Sequence, residues 1–245
     1  MSDWILETKG VQKTFGGVKA LQDITFHIQR GEILGVIGPN GAGKTTAINV
    51  ITGVIAPDAG EIFYESKPVT KSRLFLSSRM GMARTFQHPQ TLNSLDCLDN
   101  VKVACLTRGM SHKEAEQKAE EILDLVGLHS FLHEPSSSLN FAQRKVLDMA
   151  RALGTQPKLL FLDEVLTGLT DEEIQDLVKK IRSLKNQGLT IVIIEHLVKV
   201  IRSVSDRLLV LDTGKVLMQD LPDVVLSNPL VIESYIGKGG VAQNA

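Results

Sequence analysis

The sequence predicts an α/β protein with a mostly parallel sheet, and three observations support that prediction. Short, continuous apolar runs alternate with helical patterns along most of the chain, as expected for strands buried on both faces. A glycine-rich loop, residues 38–46, joins one of these runs to a helix. A later run, residues 159–164, ends in two acidic residues, at the edge where open α/β sheets collect their ligands.

The elements are predicted in chain order from these patterns. In the first part of the chain, residues 4–11 and 24–28 predict two antiparallel strands, and residues 32–38 predict a buried strand. A helix is predicted at 43–52 and a further strand at 61–65. Residues 72–132 predict an α-helical insert, with helices near 73–80, 95–108 and 112–127, and a further helix starts near Ala142. Strands return at 158–163, 190–195 and 207–212, the last of which enters a hairpin, and 238–245 predict a flexible tail.

Composition fits a globular protein with one large core or two lobes. The 245 residues are 43% hydrophobic and 22% charged, and a net charge of -1 gives no bulk positive field for nucleic acid. The basic pairs 144–145 and 179–180 are expected on solvated helix faces. Cys97 and Cys105 lack a metal-ligand spacing, which favours a reduced, cytoplasmic protein. No signal peptide and no apolar run of the roughly 20 residues that span a bilayer is present, so we expect peripheral membrane association.

The glycine-rich loop is the strongest motif in the chain. "GPNGAGKTT", residues 38–46, follows a buried strand and begins a helix, the setting in which G-x-x-x-x-G-K-[ST] indicates a P-loop. Glycines let backbone N–H groups turn towards phosphate oxygens, and the new helix adds its positive end. Lys44 is expected at the β- and γ-phosphates and Thr45 at Mg²⁺. The predicted nucleotide-binding residues of this loop are Gly38, Pro39, Asn40, Gly41, Ala42, Gly43, Lys44, Thr45 and Thr46.

Two carboxylates complement the P-loop. Asp163 and Glu164 follow the apolar run "LLFL" at the C-terminal end of a buried strand. We expect Asp163 to orient the Mg²⁺ shell through water and Glu164 to polarise an attacking water as general base. With the P-loop, this pair predicts hydrolysis of a nucleotide.

With these motifs the chain resembles the nucleotide-binding subunits of ATP-binding cassette (ABC) transporters, over residues 4–237. The resemblance implies that Phe15 stacks on adenine and that His196 is the switch histidine at the γ-phosphate. It also implies that Gln87 is the Q-loop glutamine, which links the metal site to a transmembrane partner. The implied cofactors are ATP and Mg²⁺, the implied catalytic residues are Glu164, His196 and Gln87, and the implied metal ligands are Thr45, Gln87 and Asp163.

The resemblance also implies an architecture. Residues 1–237 would form a single ABC ATPase domain with an N-terminal antiparallel β subdomain. Its RecA-like core would comprise residues 1–87 and 155–220. A helical subdomain, residues 88–154, would be inserted between the Q-loop and the family's signature segment.

The pentapeptide "LNFAQ", residues 139–143, stands where the family has that signature, commonly L-S-G-G-Q or L-S-Y-G-Q. In the family the signature of one subunit faces the ATP on the other subunit's P-loop. Asn140 keeps an amide donor but is bulkier than serine. Ala142 brings a Cβ to a place of close approach and does not take φ > 0 cheaply. The signature residues Asn140, Phe141, Ala142 and Gln143 are therefore expected to face the partner's nucleotide, but poorly.

Two further departures concern neighbouring loops. Val165 stands where a proline usually follows the Asp-Glu pair, and Thr170 stands where the D-loop, residues 167–171, usually ends in Asp or Asn. We expect a P-loop face that can bind and hydrolyse ATP and a signature face that contacts the partner's nucleotide poorly. This difference suits a heterodimer with a second ABC ATPase more than a homodimer.

Three segments, residues 37–62, 81–87 and 231–239, together resemble one ATPase subunit of the branched-chain (hydrophobic) amino-acid importer family, including its urea branch. This resemblance implies permease subunits, a solute-binding protein, no nucleic acid, and a peripheral position on the cytoplasmic face of a bacterial or archaeal inner membrane. The ending also resembles the ATPase of lipopolysaccharide export. The sequence is also compatible with a regulatory subunit of weak hydrolysis, and with a soluble ABC protein that acts on another machine.

Overall fold

The computed structural model describes residues 4–70 and 74–236, and the predicted tail 238–245 lies outside the described residues. Described strands are β1 (Trp4–Phe15), β2 (Val18–Gln29), β3 (Ile33–Ile37), β4 (Ala59–Tyr64), β5 (Lys67–Pro68), β6 (Met82–Arg84), β7 (Leu159–Asp163), β8 (Thr190–Ile194), β9 (Arg207–Asp212) and β10 (Lys215–Asp220). Described α-helices are α1 (Lys44–Ile51), α2 (Leu74–Met80), α3 (Cys97–Leu106), α4 (His112–Leu125), α5 (Phe141–Gly154), α6 (Asp171–Asn186), α7 (Val198–Val204), α8 (Pro222–Ser227) and α9 (Pro229–Ile236).

The chain divides into two compact units. Of the residues that the structure describes, 4–70, 74 and 192–236 belong to the first unit, and 75–191 belong to the second. Strand β8 crosses the boundary between them. The finer division into a core and a helical subdomain, residues 88–154, stays a prediction.

The first unit contains the predicted antiparallel sheet, with strand order β2-β1-β4-β5. Strands β1 and β2 are longer than predicted because a tight turn joins them directly, with Phe15 opposite Val18. The two turn residues, Gly16 and Gly17, both have positive φ, as a type I′ hairpin turn requires. This unit also contains β3, which is buried throughout and runs parallel to β9, and the predicted hairpin of β9 and β10.

The second unit combines two parallel strands with packed helices. Strands β6 and β7 pair in parallel, with Arg84 opposite Phe161. Helix α3 packs against α4 and α5, and this contact is close because α5 ends in Gly154, where a Cβ would lie 3.0 Å from the Cβ of Ala104. Strand β6 was not predicted, since three residues are too few to show a period. The α/β class and the parallel strands are confirmed.

Both cysteines of the chain lie in α3. Cys97 and Cys105 are both free and buried. Burial raises the pKa of the Cys97 thiol to about 11, and it raises the pKa of Cys105 as well.

Among the helices that the structure describes, none has both the length and the apolar content needed to cross a bilayer.

Candidate nucleotide-binding and hydrolysis site

The P-loop lies in the first unit, between the end of β3 and the start of α1. Gly38 has φ 148° and Gly43 has φ 97°, so both occupy the region that favours glycine. A Cβ on Gly38 would lie 2.0 Å from the carbonyl oxygen of Leu211, and one on Gly43 would lie 2.6 Å from that of Ala20. Glycine is therefore required at both positions to keep the loop closely packed against its neighbours.

Lys44 is the first residue of α1 and is buried. Its Nζ donates hydrogen bonds to the carbonyl oxygens of Gly38, at 2.7 Å, and of Pro39, at 3.0 Å. The ammonium group thus lies across the loop. Gly43, the N-cap of α1, supplies no side-chain cap, so backbone N–H groups of the first turn have no side-chain acceptor from the cap position. This combination of an ammonium group and helix N–H groups is suited to phosphate.

Two further predicted residues belong to the first unit. Phe15 ends β1 with 45% of its surface exposed, and the Nζ of Lys13 lies 5.5 Å from the centre of its ring. An exposed aromatic ring has a free face on which a base can stack. His196 is exposed two residues beyond the end of β8. The adenine-stacking role of Phe15 and the switch role of His196 stay predictions.

Asp163 ends β7 in the second unit and is 2% exposed. Its backbone N–H donates to the hydroxyl oxygen of Thr85 at 3.2 Å, which ties β7 to the residue after β6. Its carboxylate forms an ion pair with Arg84 at 3.5 Å. Burial lowers the pKa of Arg84, and the charge of Asp163 opposes that effect. The buried carboxylate of Asp163 is therefore matched by a nearby cation, which the sequence did not indicate.

Glu164 follows Asp163 with φ 52°, a left-handed conformation that is uncommon for a residue with a side chain. Its carboxylate accepts a hydrogen bond from the side-chain amide of Gln87 at 2.7 Å. Two of the predicted catalytic residues, which are 77 positions apart in the chain, are thus in direct contact. A carboxylate that is half-buried and oriented by an amide donor is suited to general-base chemistry.

Lys145 corrects the expectation of a solvated basic pair at 144–145. The side chain is buried, and its Nζ donates to the carbonyl oxygens of Glu164, at 2.7 Å, and of Thr167, at 2.6 Å. It also lies 5.0 Å from the centre of the Phe141 ring. The prediction failed because it followed charge alone, whereas the four-carbon stem of lysine can be buried when its ammonium group finds acceptors.

Asp148 lies one turn after Lys145 on the same helix and is also buried. Its carboxylate accepts hydrogen bonds from the backbone N–H groups of Phe86, at 3.3 Å, and Gln90, at 3.2 Å. Burial raises the pKa of this carboxyl, while the two backbone donors oppose the rise. Asp148 therefore holds the chain on both sides of Gln87, a role that the sequence did not indicate.

The signature segment begins α5 as predicted, but with an unpredicted cap. The Asn140 side chain accepts from the N–H of Gln143 at 2.8 Å, and the Gln143 side chain accepts from the N–H of Asn140 at 2.9 Å. This reciprocal arrangement is a capping box. Ala142 lies inside α5 and is not among the described residues with positive φ, so the expected backbone strain at Ala142 is wrong.

The departures at Val165 and Thr170 also fit the fold. Val165 is buried, and Thr170 caps α6 in a second capping box with Glu173. Threonine is a good N-cap residue, so its presence at the end of the D-loop is compatible with a well-formed start of α6.

A P-loop that begins a helix and a strand-end Asp-Glu pair define a P-loop ATPase. The family model described as ABC transporter matches residues 21–167, and the chain belongs to this family. It is the ATP-binding and ATP-hydrolysing subunit of a transporter.

Individual relatives support this assignment over nearly the whole chain. The high-affinity branched-chain amino acid transport ATP-binding protein LivG of Salmonella typhimurium is 33% identical, and the alignment covers 97% of this chain and 100% of that protein. The lipopolysaccharide export system ATP-binding protein LptB of Acidithiobacillus ferridurans is 29% identical, with coverages of 95% and 97%. A solved structure of the ADP conformation of an ATP-binding cassette of an ABC transporter is 31% identical, with a TM-score of 0.87 and coverages of 97% and 100%.

Proposed function

We propose that this subunit powers the import of branched-chain amino acids or a related small solute, with Glu164 as the general base for ATP hydrolysis. The hydrogen bond between Gln87 and Glu164 carries the catalytic part of the proposal, because it orients the carboxylate at the end of β7. The 33% identity to LivG supports the solute class more strongly than the 29% identity to LptB supports lipopolysaccharide export.

The donor set fits magnesium, which prefers hard oxygen ligands. Thr45, in the first turn of α1, has a hydroxyl oxygen, and Asp163, at the end of β7, has a buried carboxylate. The metal-ligand roles of Thr45, Gln87 and Asp163, the last through water, stay predictions from the family resemblance. When bound, Mg²⁺ would neutralise developing negative charge on the phosphates. Clusters of three or more His, Cys, Asp or Glu side chains able to hold a metal do not occur in residues 4–70 and 74–236.

Replacement of the base tests the catalytic proposal. Glu164→Gln keeps the size of the side chain and its contact with Gln87 but removes the proton acceptor. ATP binding should be retained and single-turnover hydrolysis should slow by about a hundredfold or more. A rate within tenfold of the wild type would contradict the role of Glu164 and would favour a regulatory subunit with weak hydrolysis.

The partner ATPase is proposed to be a different chain. The family's usual signature serine and second glycine are Asn140 and Ala142 here, which predicts weak closure over a nucleotide bound by the partner. The purified chain alone should therefore have little ATPase activity and gain activity when mixed with a second ABC ATPase. Robust activity of the chain alone, second order in its concentration, would contradict the heterodimer. Partner addition should also matter more than the double substitution Asn140→Ser and Ala142→Gly.

The permease is proposed to dock on the second unit, near the predicted segment Gln87–Leu98. Gln90 from this segment lines a cavity of about 490 Å³ together with Phe86, Val103, Arg79, Arg108 and Arg151. Phe86 and Val103 are exposed large apolar side chains, and the arginines add positive charge. These features are complementary to an apolar cytoplasmic segment of the permease that carries an acidic residue. Such docking would hold the subunit on the cytoplasmic face of the membrane, with a solute-binding protein on the other side.

Cross-linking tests this docking surface. Val103→Cys should cross-link to the permease in the assembled transporter, while Lys179→Cys, at an exposed position of α6, should not. The buried native cysteines should give little background. Equal cross-linking at both positions would contradict the proposed surface.

A further inference from the structure

The contact between Lys145 and the loop after β7 is unusual because it buries an ammonium group. Lys145 is 5% exposed, and its Nζ donates to two carbonyl oxygens, those of Glu164 and Thr167. A buried charge is costly unless it is paired or hydrogen bonded, so this arrangement persists only if the two acceptors stay in place. The contact therefore constrains the loop as much as it satisfies the lysine.

The loop residue that accepts from Lys145 is also conformationally strained. Glu164 has φ 52°, and non-glycine residues in this region persist where the surroundings hold them. The carbonyl oxygen of Glu164 belongs to the peptide group that follows its Cα, and ψ sets the orientation of that group. Fixing the oxygen therefore restricts ψ of Glu164 to values that accompany the left-handed conformation. The direction of the Glu164 side chain depends on the same backbone angles.

We propose that Lys145 is a positioning residue for ATP hydrolysis, which holds the backbone of Glu164 so that its carboxylate meets the side chain of Gln87. The proposal rests on the proposed role of Glu164 as general base. Lys145 itself need not touch the nucleotide or the attacking water.

A second contact from the same helix supports this role. Asp148 accepts from the backbone N–H groups of Phe86 and Gln90, on either side of Gln87. Residues three apart on a helix lie on the same face. One face of α5 therefore anchors both partners of the hydrogen bond between Gln87 and Glu164, at 2.7 Å.

The test compares Lys145→Met, which keeps an unbranched stem but has no donor, with Lys145→Arg, which keeps donors. Both are measured in the assembled transporter under single-turnover conditions. Lys145→Met should lower kcat by about a hundredfold, the effect of misplacing a reacting group by a small distance, with little change in the KM for ATP. Lys145→Arg should recover most of the rate. Lys179→Met, the same substitution at an exposed position of α6, is the matched control and should match the wild type.

Combination with Glu164→Gln separates positioning from a general structural role. If Lys145 acts through Glu164, Lys145→Met should cause no further loss of rate in the Glu164→Gln background. A multiplied loss, or a Lys145→Met rate within threefold of the wild type, would overturn the inference and leave the role of Glu164 intact. A normal rate for Glu164→Gln alone would instead overturn the proposed function.

Folding is checked by urea unfolding of each variant. If Lys145→Met is unfolded at the assay temperature, the same comparison uses Lys145→Gln, whose shorter amide does not reach both carbonyl oxygens. The same two outcomes then decide: a loss of kcat that disappears in the Glu164→Gln background supports the inference, and an independent loss overturns it.

Discussion

The P-loop of the first unit and the loop after β7 in the second unit both contain residues with positive φ. Different features of the two loops accompany this conformation. At Gly38 and Gly43 the conformation is possible because a side chain is absent, and a Cβ would collide with the carbonyl oxygens of Leu211 and Ala20. At Glu164 the side chain is present, and the Nζ of Lys145 donates a hydrogen bond to the carbonyl oxygen of the same residue. The P-loop conformation therefore depends on residues that lack a side chain, whereas the proposed placement of the Glu164 carboxylate depends on a side chain from a distant helix.

Substitution of a P-loop glycine is expected to cause the largest loss in the free energy of unfolding. Gly38→Ala should lower the free energy of unfolding by about 3 kcal/mol, combining about 1 kcal/mol for the left-handed backbone with about 2 kcal/mol for the collision. Gly41→Ala is the matched control, because Gly41 also has positive φ but a Cβ there would meet nothing within 4 Å. It should cost about 1 kcal/mol in urea unfolding. Equal losses for the two variants would show that close packing does not set the loop.

A smaller effect is expected at the start of α5. Asn140→Ala removes the N-cap of α5 and should lower the free energy of unfolding by about 1 kcal/mol. Asn140→Ser retains a capping side chain and should cost much less. Urea unfolding of both variants checks this prediction. A stable Asn140→Ala variant would mean that the capping box contributes little to α5.

The smallest effect concerns the pH dependence of stability at Asp148. Burial raises the pKa of this carboxyl above its ordinary value of 3.8, so the folded protein binds the proton more tightly than the unfolded chain does. The stability that this carboxyl contributes is therefore fully present below the pKa of Asp148 in the unfolded chain. It declines as pH rises towards the pKa of Asp148 in the folded protein. The stability of the wild type relative to Asp148→Asn should fall with rising pH in that window and then level off. A difference that grows with pH would show that the two backbone donors outweigh burial.

Features of the site that depend on adjacent residues were predicted from the sequence, and contacts between distant residues were not. The P-loop and the strand-end pair Asp163-Glu164 were predicted because each depends on adjacent residues and the period of one strand. The contact of Lys145 with Glu164 joins residues 19 apart, and that of Asp148 with Gln90 joins residues 58 apart, so neither has a local pattern. Charge patterning placed Lys145 in solvent, since a single sequence shows the charge of a side chain but not its acceptors. The fold class was predicted correctly, whereas the lengths of β1 and β2 depended on a turn that was not recognised.

A structure of the Lys145→Met variant would show whether Lys145 holds the backbone of Glu164. We expect Glu164 to leave the left-handed conformation, now at φ 52°, and its carboxylate to move out of hydrogen-bond distance of Gln87, now at 2.7 Å. The P-loop should keep its conformation, because its glycines determine it. A variant structure in which Glu164 retains its φ and its contact with Gln87 would contradict this role of Lys145.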